Sequence, residues 1–381
     1  MALHRDAVAG TIAVAAICAL LTSPASADPG SDGSTRIRAD QWHLRYLRVS
    51  EANEISRGEG VVVAVPDTGV DPHPDLRANL LPGTDTVAGN TGDGRQDKNS
   101  HGTSMAGLIA AHGRTADTGA LGIAPQAKIL PIRSSRADNL GTADDLAAGI
   151  EYATAHEADV ISISSSGGST SRLIQAVNAA ISANIVLVAA AGNSSDESRV
   201  GYPASERGVI AVGGIDSRGN HAAISVTGPE IDLAAPAVDI YSTSYEGRYA
   251  KGTGTSSATA IVAGAAALIR SKYPNLPAQE VAHRLTATAI DKGPPGRDDE
   301  YGYGVIDLVA ALTADVPPLG FESVAASAPT TTTAAEPASD GDNNRTARGL
   351  ATLGVLVAAS GGFLLWRRRR RAEDPPPRVS R

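Results

Sequence analysis

Three short segments carry the residue types of an activated nucleophile: Asp67 in Val65-Pro66-Asp67-Thr68-Gly69-Val70, His101 in Ser100-His101-Gly102-Thr103, and Ser256 in Gly254-Thr255-Ser256-Ser257-Ala258. A serine hydroxyl attacks only when a base takes its proton, and the base works best when an acid orients it. Ser256 opens an Ala-rich stretch that reads as a helix ending near Arg270. At that helix start, unpaired N–H groups and the positive end of the dipole favour a developing anion. Taken singly, each residue type has a commonplace use. An Asp near a glycine shapes a turn, the use expected of Asp71 and Asp75. A histidine packs or lies on the surface, as assigned to His4, His43, His73, His112, His156, His221 and His283. The three segments acquire chemistry only if the fold brings them together.

The elements that must do so are legible as alternating patterns. Val61–Val65, Lys128–Ile132, Val160–Ile163, Ile185–Ala190 and Val209–Val212 are continuously apolar, β-branched and bounded by Gly, Asp or Ser. That is the pattern of strands buried on both faces. Between them, Thr142–His156 reads as a helix with Thr142 as its N-cap and Leu146, Ile150 and Ala153 on one face; Ser171–Ser182 likewise groups Leu173, Ile174, Val177 and Ile181. Alternation of this kind gives an α/β fold, a parallel sheet with helices on both faces and ligand sites at the carboxyl ends of the strands. Asp67 follows the first run, Ser164–Gly168 the third and Gly192-Asn193 the fourth. Three polar clusters therefore fall at one edge of the expected sheet.

These segments, with Ala189-Ala190-Ala191-Gly192-Asn193 and Tyr301-Gly302-Tyr303-Gly304-Val305-Ile306-Asp307, resemble the subtilisin-type serine proteases over about residues 40–312. The chain order Asp, His, Ser is that of subtilisins. The resemblance implies a subtilisin-like fold and peptide-bond hydrolysis. Ser256 would attack the scissile carbonyl, His101 would take and return its proton, and Asp67 would hold the imidazole. Asn193 and the backbone N–H of Ser256 would form the oxyanion hole. Ser164, Ser165, Ser166 and Gly167 would line the first specificity pocket and pair with extended substrate. A lipase-type G-x-S-x-G elbow does not fit, because Ala258 stands two residues after Ser256. Two departures are Ala260, where many subtilisins have proline, and the loop Ser164-Ser165-Ser166-Gly167-Gly168, which lacks their common leucine.

Both ends read as targeting devices. Arg5, an apolar run from Ala7 to Leu21 and Ala25-Ser26-Ala27 make residues 1–27 a signal peptide with an A-x-A cleavage site. Cys18, the only cysteine, lies within it, so the exported domain is expected to hold no disulfide and no thiol nucleophile. Gly349 to Trp366 is 18 residues without a charge, long enough for a bilayer core, and Arg367–Arg371 form a cytoplasmic flank. Residues 316–348, rich in Ala, Pro, Thr and Ser, read as an unfolded stalk. Seven arginines and two acidic residues follow Trp366, so the chain's −8 conceals −13 on the first 366 residues. An acidic exported part argues against nucleic acid as a partner. Neither H-E-x-x-H nor an EF-hand loop occurs, and Asp93, Asp97 and Asp117 form no recognisable calcium loop, so no metal or other cofactor is expected.

The expected layout is thus a signal peptide (1–27), an N-terminal extension (28–58), a peptidase domain (59–315), a stalk (316–348), a transmembrane helix (349–366) and a cytoplasmic tail (367–381). The extension is too short for a folded pro-domain; Gln41–Leu47 and Ser50–Asn53 read as an integral first helix. In this layout the chain is similar to the mycosins, membrane-anchored subtilisins associated with type VII secretion. That resemblance implies protein or peptide substrates, a single-pass location in the cell membrane with the catalytic domain outside, and the secretion machinery as partner. A structural subunit in which proteolysis is secondary is the alternative.

Overall fold

The computed structural model describes residues 33–319, apart from 88 and 139, together with a three-residue strand at Ala13–Ala15. The rest of the expected signal peptide, the stalk beyond residue 319, the expected span and the Arg-rich tail lie outside the described residues. The chain separates into units at 1–322 and 323–381, and every described residue belongs to the first.

In chain order the strands are β1 (Ala13–Ala15), β2 (Val62–Asp67), β3 (Thr84–Asp85), β4 (Lys128–Arg133), β5 (Leu140–Thr142), β6 (Val160–Ile163), β7 (Val186–Ala190), β8 (Val209–Ile215), β9 (Leu233–Pro236), β10 (Ile240–Thr243) and β11 (Tyr249–Gly252). The helices are α1 (Ser34–Asp40), α2 (Trp42–Tyr46), α3 (Val49–Ile55), α4 (His101–Ala110), α5 (Ala143–Ala155), α6 (Ser171–Ser182), α7 (Thr255–Lys272), α8 (Ala278–Ala287) and α9 (Leu308–Thr313). Seven strands form one parallel sheet in the order β3-β4-β2-β6-β7-β8-β9. β1 pairs with β5, and β10 with β11, as small antiparallel ribbons. The five apolar runs are β2, β4, β6, β7 and β8. Absent from the sequence reading are β3, two residues long, and β9, whose Leu-Ala-Ala-Pro gives no β-branched signal.

The middle of the sheet opens where chemistry needs room. β2 pairs with β4 through Asp67, but with β6 only at Val63 and Ala64. Beyond Ala64 the two central strands part. Pro66, which has no N–H to donate, sits in that parted stretch, where its missing donor faces no β6 partner. β2 also runs on two residues past the expected Val65, so Asp67 ends the strand rather than following it. The connection after β2 leads to one side of the sheet and that after β6 to the other. Such a switch point is where open α/β sheets leave a crevice.

One face of the sheet carries α5 and α6. Thr142 accepts from Asp145 N and donates to its side chain, a full capping box, and Thr170 caps α6 through Leu173 N. Each helix buries one stripe, Leu146 and Ile150 in α5 and Leu173 and Val177 in α6, against β-branched residues of the strands. The opposite face carries α4 and α7. Every residue from Thr255 to Arg270 of α7 is buried, and the helix contacts β6, β7, β8, β9 and α4. Its run of Ala, Gly and small hydroxyl residues lets neighbours close in; a Cβ at Gly264 would lie 2.7 Å from Ile123 Cβ.

The N-terminal segment is part of this body. Instead of one helix it forms three, and the first begins at Ser34, earlier than the sequence suggested. Leu44, Leu47, Val49 and Ala52 enter the core around α7, while Ile37 packs with Ala111 and Ala120. The Gln41 amide clamps Leu121, donating to its carbonyl and accepting from its N–H, each at 2.9 Å.

Candidate active site

Asp67 and His101, 34 residues apart, meet at the parted centre of the sheet. His101 Nδ1 lies 2.7 Å from Asp67 Oδ1 and 2.9 Å from Oδ2, and both side chains are buried. Thr68 N also donates to Asp67 Oδ1 at 2.7 Å. A carboxylate spanning Nδ1 makes that nitrogen the proton carrier, so Nε2 holds the lone pair. Gly102 permits the approach: a Cβ there would stand 2.1 Å from Gly69 O and 3.1 Å from Asp67 Cβ. Any side chain at 102 would push the head of α4 away from the end of β2.

A second buried carboxylate, Asp97, holds that helix head. Its Oδ1 accepts from Asn99 N, Ser100 N and Thr68 Oγ1 at 2.8–3.0 Å. Its Oδ2 accepts from Thr103 N at 3.0 Å and Thr103 Oγ1 at 2.6 Å. Ser100, immediately before His101, takes a left-handed φ of 88°, a conformation that a non-glycine residue keeps only when its surroundings insist. Here Asp97 grips its N–H, and its hydroxyl lies 2.8 Å from that of Ser244. At the head of α4, Asp97 thus takes the Thr103 N–H, while His101 N donates to Asn99 Oδ1 and Gly102 N to Thr68 Oγ1; together these bonds fix the direction in which His101 leaves the helix.

Ser256 occupies the first turn of α7, 5% exposed. Its hydroxyl donates to the carbonyl of Ser164, just past β6, at 3.1 Å. Asn193, past β7, accepts through Oδ1 from Thr255 N at 3.1 Å and Thr255 Oγ1 at 3.3 Å. With its oxygen engaged there, the amide presents Nδ2 as a donor beside the start of α7. Ser164 and Ser166 are buried, Ser165 is half-buried, and Gly167 exchanges both backbone hydrogen bonds with Tyr202 at 3.1 and 3.0 Å. The loop is therefore anchored on two sides, at Ser256 and at Tyr202. Among the described residues, no cluster of three or more His, Cys, Asp or Glu side chains is placed to hold a metal.

Comparison with known proteins decides the family. The sequence profile of the subtilase family matches residues 58–304. Subtilisin DY from Bacillus licheniformis is 42% identical over 260 residues, 67% of this chain and 92% of its own length. Subtilisin BL from Lederbergia lenta is 38% identical over 280 residues, 73% of this chain and 97% of its own. The chain belongs to the subtilase family.

This subtilase is accordingly a serine endopeptidase by family. Its fold is also similar to MycP1 with the N-terminal propeptide removed, at a TM-score of 0.65 and 32% identity over 72% of this chain and 98% of that one. MycP1 from Mycobacterium smegmatis gives the same TM-score at 30% identity, covering 72% of this chain and 85% of that one. A third structure, MycP1 from the ESX-1 type VII secretion system, matches at 31% identity and a TM-score of 0.65.

Two buried carboxylates of this subtilase carry little signal in the sequence. Asp97 appeared there only as a failed calcium ligand, although Asp-x-Asn-Ser ahead of a helix is a recognisable capping pattern. Asp75, expected to do no more than shape a turn, is fully buried and pairs with Arg114 at 2.9 Å while accepting from Tyr249 Oη and Ala120 N. Its partners lie far along the chain, so no local pattern announces it.

Proposed function

We propose that this subtilase is a membrane-anchored, extracytoplasmic endopeptidase whose Ser256, His101 and Asp67 act as nucleophile, base and orienting acid. His101 Nε2 takes the Ser256 proton as Oγ attacks the peptide carbonyl. Asp67 stabilises the imidazolium that results. Asn193 Nδ2 and the Ser256 N–H receive the oxyanion, and the dipole of α7 reinforces them. The imidazolium then protonates the leaving amine, and water repeats the sequence on the acyl-enzyme. The observation that carries this reading is the buried pair of short bonds from Asp67 to His101 Nδ1, set beside a serine at a helix head.

Anchoring rests on residues 1–27 as export signal, 349–366 as span and Arg367–Arg371 as inner flank. Among the described residues no helix is long and apolar enough to cross a membrane, and the proposed span lies outside them. Association with a type VII secretion system is supported by the likeness to MycP1 together with that layout. The test pairs two strains of the source organism, one carrying Ser256→Ala and one lacking the protein. Loss of cleaved exported proteins in the first strain supports the protease reading. Full cleavage there, with export failing only in the deletion strain, favours the structural role.

A further inference from the structure

Just past Asn193, the chain turns through two hydrogen bonds to the Asn193 carbonyl, from Asp196 N and Glu197 N at 2.9 Å. That turn brings Glu197 back against the cleft. Its Oε2 accepts from Ser166 Oγ at 2.6 Å. The carboxylate also fills the space beside two glycines. A Cβ at Gly192 would lie 2.3 Å from Glu197 Oε2, and one at Gly201 would lie 2.8 Å from Oε2 and 2.1 Å from Ser166 Oγ. Glu197 is half-buried and, among the described residues, makes no salt bridge. Burial raises its pKa, the Ser166 hydrogen bond opposes that rise, and the Asp196 charge adds to it. A carboxylate withdrawn from water beside a substrate cleft, bonded to one hydroxyl and no cation, is an unmatched electrostatic demand.

The position of a bound peptide follows from the nucleophile. A carbonyl attacked by Ser256 Oγ with its oxygen toward Asn193 Nδ2 lies between two strand ends, Ser164–Ser166 and Gly192-Asn193. The side chain one bond away, on the acyl side, enters the gap between those strand ends. Glu197 closes that gap, because its carboxylate touches both walls, at Ser166 and at Gly192. We infer that Glu197 is the acidic floor of this pocket and selects peptides with Lys or Arg as the residue whose carbonyl is attacked. A long cationic side chain carries its charge to the carboxylate while its methylenes run along the glycine walls. An aliphatic side chain there would leave the carboxylate with the Ser166 hydroxyl but without a cation.

The inference rests on the proposed role of Ser256, and the experiment separates the two. Purified full-length wild type and Glu197→Gln are assayed on a set of otherwise identical peptides with Lys, Arg, Leu or Ala at that position. Wild type is expected to favour Lys and Arg over Leu in kcat/KM by about ten- to a hundredfold, the worth of one charge-assisted bond. In Glu197→Gln that ratio falls by at least about tenfold. A wild type that prefers Ala or Leu, or a ratio that Glu197→Gln leaves intact, overturns the inference. In the first case the carboxylate merely shortens the pocket. Binding of the same peptides to Ser256→Ala gives a second readout that needs no turnover. If wild type cleaves nothing yet Ser256→Ala binds Lys and Arg peptides selectively, the nucleophile reading fails and the pocket stands; equal binding of all four overturns the pocket.

Discussion

On one face of the sheet α5 and α6 bury a single stripe each and leave the opposite side in water; Ile174 of α6 remains 37% exposed. On the other face α4 and α7 are enclosed nearly all round, and these two carry His101 and Ser256 at their first turns. The outer pair could shift slightly without disturbing anything but its own stripe. The enclosed pair cannot. Close-packed interiors resist displacement, so side chains mounted at the heads of buried helices are held to the fraction of an ångström that the proposed catalysis needs. The same enclosure removes tolerance: small residues such as Gly107 and Gly264 have neighbours where a Cβ would go.

Substitutions can break or sharpen this contrast. The largest effect is expected from Ser256→Ala, which should lower kcat on a peptide on the order of 10⁶-fold. Thermal unfolding should show its stability little changed, since only one hydroxyl is lost; substantial residual turnover would remove Ser256 from the mechanism. Asn193→Ala should reduce kcat by about 10²–10³-fold, the usual worth of one oxyanion donor, with KM nearly constant.

Next comes a pH effect on the enclosed side. His43 of α2 is completely buried, neither ring nitrogen has a hydrogen-bond partner among the described residues, and burial pushes its pKa down from 6.5 to about 3. The unfolded chain binds this proton more readily than the folded one. Stability from a neutral His43 is therefore complete above about pH 6.5 and is lost as pH falls toward 3, at up to about 1.4 kcal/mol per pH unit. Denaturant titrations between pH 7 and 4 should show a shallower acid slope in His43→Phe than in wild type.

The last two form a direct pair. Gly264→Val in α7 meets Ile123 and should destabilise by about 1–3 kcal/mol, the range for overpacking. Arg172→Ala in α6 breaks a 2.7 Å bond to Glu151 between half-exposed side chains. That change should cost under about 1 kcal/mol and leave turnover as it was. Equal losses from the two would show that the faces do not differ as argued.

Much of the scaffold was legible because its signals are local. β-branched runs buried on both sides gave five of the seven sheet strands, and Thr142 announced the start of α5. β9 was not, since Leu-Ala-Ala-Pro becomes a strand only by pairing with β8. Of the proposed site, the Asp67, His101, Asn193 and Ser256 segments were legible because their residue types and order are distinctive. Asp97, Asp75 and Glu197 were not, because what distinguishes each is a set of partners rather than a pattern. Glu197 lies in an ordinary polar loop, and only the return of that loop onto Ser166 sets it beside the cleft.

The sequence by itself determined which groups could react, the order of the elements that carry them and the alternation that lays those elements into a parallel sheet. Residue types and spacing alone do not say which carboxylate faces His101, and only the resemblance to subtilisins pointed to Asp67. Asp97 is four residues away and Asp67 is 34, yet Asp67 reaches Nδ1 while Asp97 turns back to cap the helix. That choice belongs to the tertiary structure. β2 and β6 part beyond Ala64, α4 packs close at Gly102, and the side chain at the end of β2 meets Nδ1 while Asp97 stays bonded to Thr103.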